Sequence, residues 1–400
     1  MTERNCMKKR AWIVMLVVFF AGVSLAWQQN KVVPLVSTLE AVFHTDSSTV
    51  GWLSSVFSVM AIITAIPSAM ILKKLGAKMC GVIALACAIL GSVLAIFVDS
   101  LPLLIISRVI EGVGVGIISV VAPSVISMWF PTEKRGLPMG LWGSWQMVGQ
   151  SAVFLLSASV VSILGWKGMW IVGVVVCAIA ILLFVPIVNS PPPENNYADI
   201  ESGTVDIRNG LKTPSAWLLG MVGFLFSFCC FGWLTWIVSA WVRNLGMQES
   251  LINNYLAYMF MLEIPMVILI GWIYDKAGKR HKIVGIVGAV LYAVALFIGY
   301  RIRNRVFLYV FLLGYPFFEG MVATFLWISA PLTVKEQEKA GIALAILTFC
   351  MNAGAVIGPP VIGRIVDVSG FSMAASIMAL VMALGAALIF ILKMPGAARE

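Results

Sequence analysis

Tyr255–Tyr274 reads YLAYMFMLEIPMVILIGWIY, an apolar run broken by a single carboxylate, Glu263. A helix of about 20 apolar residues matches the ~30 Å hydrocarbon core of a bilayer. An unpaired carboxylate in hydrocarbon costs several kcal/mol. The run therefore names a solvent, lipid, and leaves open what shelters Glu263. Similar runs recur along the 400 residues, of which 61% are hydrophobic and 11% charged. Soluble domains sit near roughly 45–50% and about 25%, so a set of soluble domains is excluded. Only helices and closed barrels satisfy their backbone inside a bilayer. Barrel strands would be about 10 residues of alternating polarity. These runs are longer and unbroken, so the expected class is an all-α polytopic membrane protein.

Twelve spans are expected, near 11–36, 48–72, 79–98, 101–129, 137–164, 168–188, 215–242, 250–274, 282–300, 306–330, 340–365 and 371–392. The polar, proline-rich stretch NSPPPENNYADIESGTVDIRNGLKTPS between the sixth and seventh is too long for a tight turn. The expected organisation is an N-terminal six-helix bundle over 1–189, a cytosolic linker over 190–214 and a C-terminal six-helix bundle over 215–400. Lys8, Lys9 and Arg10, Lys73, Lys74 and Lys78, Lys134 and Arg135, Lys276, Lys279 and Arg280, and Lys335 and Lys339 all fall on one side of the spans. The positive-inside rule makes that side cytoplasmic, with both termini in it, and the inner membrane is the expected location. The other side has few cations, Lys167, Arg243 and the cluster Arg301, Arg303 and Arg305, which is the main exception. The net charge of +9 thus sets orientation and does not point to nucleic acid. Met7–Arg10 followed by an apolar stretch imitates a secretory signal, but apolar character resumes through VVPLV. The seven cysteines form no CxxC pair and no disulfide framework.

The halves repeat. Ala11–Trp12 recurs as Ala216–Trp217, Glu133–Lys134 as Glu338–Lys339, and Gly136, Gly149 and Gly165 as Gly341, Gly354 and Gly370, each pair 205 residues apart. One offset at five separated points argues for duplication. Two like-oriented halves imply a pseudo-twofold axis along the membrane normal and a binding site between them near mid-depth.

Gly271-Trp-Ile-Tyr-Asp275-Lys276-Ala-Gly278-Lys279-Arg280 follows the pattern G-x-x-x-D-R/K-x-G-R/K-R/K in the loop after span eight. Arg108-Val-Ile-Glu111-Gly112-Val-Gly114 follows R-x-x-Q/E-G-x-G in span four. With these motifs the whole chain resembles the major facilitator superfamily of secondary transporters. The stretch NKVVPLV…TVGWLSSVFSVM looks like its organic-anion symporter branches. The resemblance implies alternating access, with the Asp275 loop latching the cytoplasmic side of the outward-open state through Gly271, Asp275, Lys276, Gly278 and Arg280. The equivalent first-half loop carries Lys73 and Gly76 but departs from the pattern, because Ala69 replaces the glycine and Lys73 the aspartate. Gly354-Ala-Val-Ile-Gly358-Pro359-Pro360 in span eleven resembles a glycine-proline motif of the family's fifth span.

Ionisable groups inside spans mark function by default. Glu263 lies about 12 residues, or ~18 Å, into span eight, and Glu319 sits similarly in span ten. These two and Glu111 are the proton-coupling candidates. Arg108 and Glu111, three apart on a helix, share a face; they serve either coupling and anion binding or a structural ion pair. Lys31 is either a snorkelling lysine or, as the resemblance implies, the cation that meets the negative group of a substrate. Trp27, Gln28, Asn30, Gln146, Gln150, Trp233, Trp236 and Asn352 complete the candidate binding set, packing being the alternative for the tryptophans. His44 and His281 are the only histidines, both in loops. There is no metal cluster, P-loop or nucleophile elbow, so no enzyme, metal or cofactor is expected.

The favoured reading is a proton-coupled transporter of a small organic anion, working as a monomer in the bilayer. Proton-driven efflux of apolar or cationic compounds and a non-transporting sensor on the same scaffold are the alternatives.

Overall fold

In the computed structural model, residues 2–131, 136–191, 213–334 and 340–394 are described, and among them the regular structure is helical with no strand. The helices are α1 (Thr2–Asn30), α2 (Val36–Phe43), α3 (Ser47–Phe97), α4 (Leu101–Trp129), α5 (Gly136–Gly143) and α6 (Trp145–Leu164). They continue as α7 (Gly168–Ile187), α8 (Pro214–Leu245), α9 (Glu249–Ala277), α10 (His281–Gly299), α11 (Arg305–Ser329) and α12 (Ala340–Ile391). Among the described residues, 11 helical stretches are long and apolar enough to cross a membrane. The last of them, Ile342–Ile391, bends at Gly370 into two legs of crossing length. The passes therefore number twelve, α1 with α2 forming one and α5 with α6 another.

The sequence places separate helices on either side of residues 76 and 370. The structure instead turns the chain at one residue, Gly76 (φ 75°, ψ 165°) in α3 and Gly370 (φ 77°, ψ 171°) in α12. A side chain disfavours that backbone region, so glycine alone makes the reversal cheap. Gly165, the repeat partner of Gly370, closes α6 with nearly the same backbone (φ 70°, ψ −176°). Elsewhere the ends follow ordinary capping. Asn304 accepts the Val306 N–H at 2.8 Å to start α11. Gly246, left-handed at φ 61°, ends α8.

By internal contacts the chain divides into two compact units, Met1–Leu35 with Val56–Glu201, and Val36–Ser55 with Ser202–Glu400. In the first, the glycines of the span-four motif let α4 approach both legs of α3. A Cβ on Gly112 would lie 2.4 Å from the Phe57 carbonyl oxygen, and one on Gly116 2.7 Å from that of Ala61, both on the first leg. A Cβ on Gly114 would lie 2.5 Å from the Ala84 carbonyl oxygen on the second leg. Small residues at this spacing allow backbone-to-backbone packing. Gly149 of α6 lets it approach α1 closely: a Cβ there would lie 2.3 Å from the Ala26 Cβ and 3.1 Å from the Val23 carbonyl oxygen.

In the second unit the repeat partner of Gly149, Gly354, plays the same part against α8. A Cβ there would lie 2.2 Å from the Phe224 carbonyl oxygen, and one on Gly358 2.4 Å from that of Phe228. The segment 36–55 joins this unit through Ser37–Ser239 (3.1 Å) and the Ser48 N–H to Asp367 Oδ2 (3.3 Å). The repeated pair Glu133–Lys134 and Glu338–Lys339 lies outside the described residues, as do 192–212 of the expected linker. Arg301, the exception to the charge rule, donates to the Phe297 and Ser372 carbonyls and to Ser376 Oγ at 2.6, 2.5 and 2.6 Å. The Phe297 carbonyl belongs to the last turn of α10, where a cation complements the helix dipole.

Gly354→Ala should lower the melting temperature of the detergent-solubilised protein, because its new methyl meets backbone. Overpacking of this kind costs about 1–3 kcal/mol. Gly140→Ala is the control, since nothing lies within 4 Å of a Cβ there, and it should melt no lower than the parent.

Candidate functional site

Lys31, Arg108 and Glu111 gather in the first unit, and Glu263 and Glu319 lie in the second. The first group begins where α1 ends. Pro34 stops the helix soon after Asn30, which leaves the Gln28 and Gln29 carbonyls without helical partners. Arg108 of α4 claims them, Nη1 donating to Gln28 O at 2.5 Å and Nη2 to Gln29 O at 3.0 Å. The same Nη1 donates to Glu111 Oε2 at 2.5 Å, and the guanidinium lies 4.5 Å from the centre of the Phe57 ring. The other carboxylate oxygen, Glu111 Oε1, accepts from Lys31 Nζ at 2.7 Å. Lys31 also donates to Ser92 Oγ at 3.0 Å and to Gln28 Oε1, and its ammonium lies 4.9 Å from the centre of the Trp170 ring. Lys31, Arg108 and Glu111 are each 0% exposed. Two cations thus share one carboxylate, a buried trio of net charge +1.

The second group lies among α8, α9, α10 and α11. Glu263 is buried within its unit. Glu319 of α11 accepts from the Cys230 thiol of α8 at 3.2 Å, and α11 packs against α9, which carries Glu263. One turn before Glu319, Tyr315 stacks on Trp233 with centroids 4.1 Å apart. Its hydroxyl lies 3.2 Å from that of Tyr292 on α10.

The remaining candidates divide by partner. Trp27 donates to the Met169 carbonyl at 3.0 Å and Trp236 to the Pro359 carbonyl at 2.9 Å, so both indoles are engaged inside their units. Gln28 also donates to Cys177 Sγ at 3.4 Å. Asn30 bonds back to Ala26 O at 2.9 Å and accepts from Gln150 at 3.3 Å. Gln146 donates to Gln29 Oε1 at 2.9 Å. Asn352 folds back onto Thr348 O at 2.8 Å in its own helix. The structure places Asp275 and Lys276 in the last turn of α9 and Arg280 in the short turn after it, all exposed, and the Lys276 ammonium lies 3.9 Å from the centre of the Trp272 ring. Gly278 supplies a positive φ of 45°, while a Cβ on Gly271 would meet open space. The Lys73 side chain lies outside the described residues; Gly76 makes the turn after it. Sequence reasoning missed Gln29, Ser92, Cys230 and Tyr315. Only Gln29, beside Gln28 in the polar end of α1, carried a visible signal.

The pattern for the Major Facilitator Superfamily matches residues 14–342. The chain belongs to the Major Facilitator Superfamily. Membership makes it a multi-pass membrane protein of a non-enzymatic family. Two relatives from this superfamily illustrate the range. One, assigned as the niacin/nicotinamide transporter NiaP of Bacillus subtilis (strain 168), is 25% identical over 255 residues, which are 62% of this chain and 63% of that one. The other, assigned as an L-galactonate transporter of Escherichia coli (strain K12), is 24% identical over 407 residues, covering 95% of this chain and 89% of that one. The chain thus spans less than two thirds of the first relative's length. Among solved structures, the xylose transporter XylE from E. coli in an inward-open conformation aligns with a TM-score of 0.76. It is 17% identical, and 96% of each chain is covered. At that identity the likeness speaks for the fold alone.

Proposed function

We propose that this superfamily member is a secondary transporter carrying a small organic anion across the inner membrane, coupled to protons, with both termini cytoplasmic. One observation carries the anion reading: the trio Lys31, Glu111 and Arg108 is fully buried with a charge of +1. An uncompensated charge in a dry site is costly, and a carboxylate substrate offsets it. Galactonate, the cargo in the second relative's name, is a carboxylate, and so is niacin, one of the two cargoes in the first relative's name beside the neutral amide nicotinamide; this supports the class. Glu263 and Glu319 are the groups suited to the proton, since a carboxyl changes charge on binding one. Gln146 and Gln150, bonded to the outer end of α1, are suited to hydroxyl or carbonyl groups of the solute. The Asp275 loop is the cytoplasmic latch of alternating access. The cationic stretches facing one side of the spans support the orientation.

The test is uptake in proteoliposomes with an imposed pH gradient, over a panel of aromatic and sugar carboxylates. An inward proton gradient should drive accumulation of at least one carboxylate, and Lys31→Gln should abolish it. If no carboxylate accumulates while a cationic dye is expelled, the anion reading is wrong and efflux takes its place.

A further inference from the structure

Three oxygens converge on the Lys31 ammonium: Glu111 Oε1 at 2.7 Å, Ser92 Oγ at 3.0 Å, and Gln28 Oε1. An ammonium has three N–H donors and no acceptor, so each proton has one oxygen. The oxygens are also close to each other. Ser92 Oγ lies 2.7 Å from Glu111 Oε1 and 3.0 Å from Gln28 Oε1. The Trp170 ring closes another side, with the ammonium 4.9 Å from its centre, an arrangement that favours a desolvated cation. Position 173 on α7 is glycine, and a Cβ there would fall 2.6 Å from Gln28 Oε1. The backbone thus leaves room for the amide to point at the ammonium. A carboxylate, a hydroxyl and an amide oxygen around one buried point are the ligands that hard cations take. Lys brings a charge of the same kind, a compact, strongly hydrated point, but tethered and presented through its three N–H donors.

We infer that the Gln28–Ser92–Glu111 cradle is a monovalent-cation site which Lys31 occupies as a built-in ion. The wild-type first unit then needs no dissolved cation to fill the cradle. Without the tether the cradle and Arg108 carry no net charge, and a free Na+, K+ or alkylammonium restores the +1. Lys31 acts on transport through this balance; its direct ligands are the three oxygens.

The test is Lys31→Ala in the full chain, with Lys31→Ser, which adds an oxygen to the same space, as a second variant. Thermal unfolding of the purified proteins is measured in NaCl, KCl, methylammonium chloride and choline chloride at equal ionic strength. Ligands that bind only the folded state raise its melting temperature with their concentration. At least one of the three small cations should stabilise the variants by several degrees over choline, and none should do so in the parent. Adding Glu111→Gln to either variant should remove the effect. Equal melting in all four salts for both variants overturns the inference. This readout needs no substrate, so it stands apart from the transport reading on which the second readout rests. In that readout, uptake by Lys31→Ala should be lost in choline and regained with the cation that stabilises it. Stabilisation without regained uptake would keep the site and reject the anion reading. Regained uptake without any stabilisation would reject the site.

Discussion

Glu111→Ala should destabilise the first unit by about 3–5 kcal/mol, the range for removing one partner of a buried ion pair. Glu111 holds both Lys31 and Arg108, and all three side chains are fully buried. Removing it takes away the carboxylate that the two cations share. Neither reaches water by a rotamer change, because Arg108 is fixed by the Gln28 and Gln29 carbonyls and Lys31 by Gln28 and Ser92. The measurement is thermal or denaturant unfolding of the detergent-solubilised variant, backed by its yield in membranes. Replacing all three charges together with apolar side chains of similar volume should recover most of that loss, since buried ion groups often give little net stability over a packed apolar core. The triple variant should remain folded yet fail to transport. If Glu111→Ala melts like the parent, the trio is not a closed charge network and the net-positive site loses its basis.

Glu263→Gln and Glu319→Gln should each reduce uptake driven by a pH gradient to the leak rate while leaving solute counterflow intact. Glutamine keeps the size and hydrogen-bonding reach of the carboxyl but cannot gain or lose a charge. Counterflow, in which solute exchanges for solute, needs the binding site and the conformational cycle but no net proton movement. Two like charges in one buried site repel, and Glu263 and Glu319 lie on α9 and α11, which pack against one another within the second unit. A proton held by either lessens that repulsion. Cys230→Ala, which removes the hydrogen bond to Glu319, should shift the pH profile of uptake without abolishing it. Full pH-driven accumulation in both glutamine variants would remove these two residues from the coupling mechanism.

The fold is largely readable from the chain because a bilayer imposes few solutions. Long apolar runs dictate helices before any packing is known. The duplication is equally legible: Gly149 and Gly354, chosen only by their offset, occupy corresponding helix crossings. The single-residue reversals at Gly76 and Gly370 were not readable, since a lone glycine in an apolar run has many uses. Lys31, Arg108 and Glu111 stand out as charges in oil, but their partnership does not. Arg108 and Glu111 share a helix, whereas Lys31 reaches Glu111 only because α1 ends where it does. Ser92 and Cys230 are small and common in apolar helices, and only the folded chain gives them a carboxylate.

The glycine contacts between α8 and the first leg of α12 carry a mechanical consequence. At Gly354 and Gly358 no side chain separates the two helices, and backbone meets backbone. Such a seam has no rotamers to adjust, so the pair should behave as one beam. Where α10 meets α11, by contrast, Gly285 and Gly288 receive the Phe325 and Met321 side chains, which have rotamers to adjust, so under the proposed transport cycle motion should fall to α9, α10 and α11. Amide hydrogen exchange along α9–α11 should then be faster than along the α8–α12 seam.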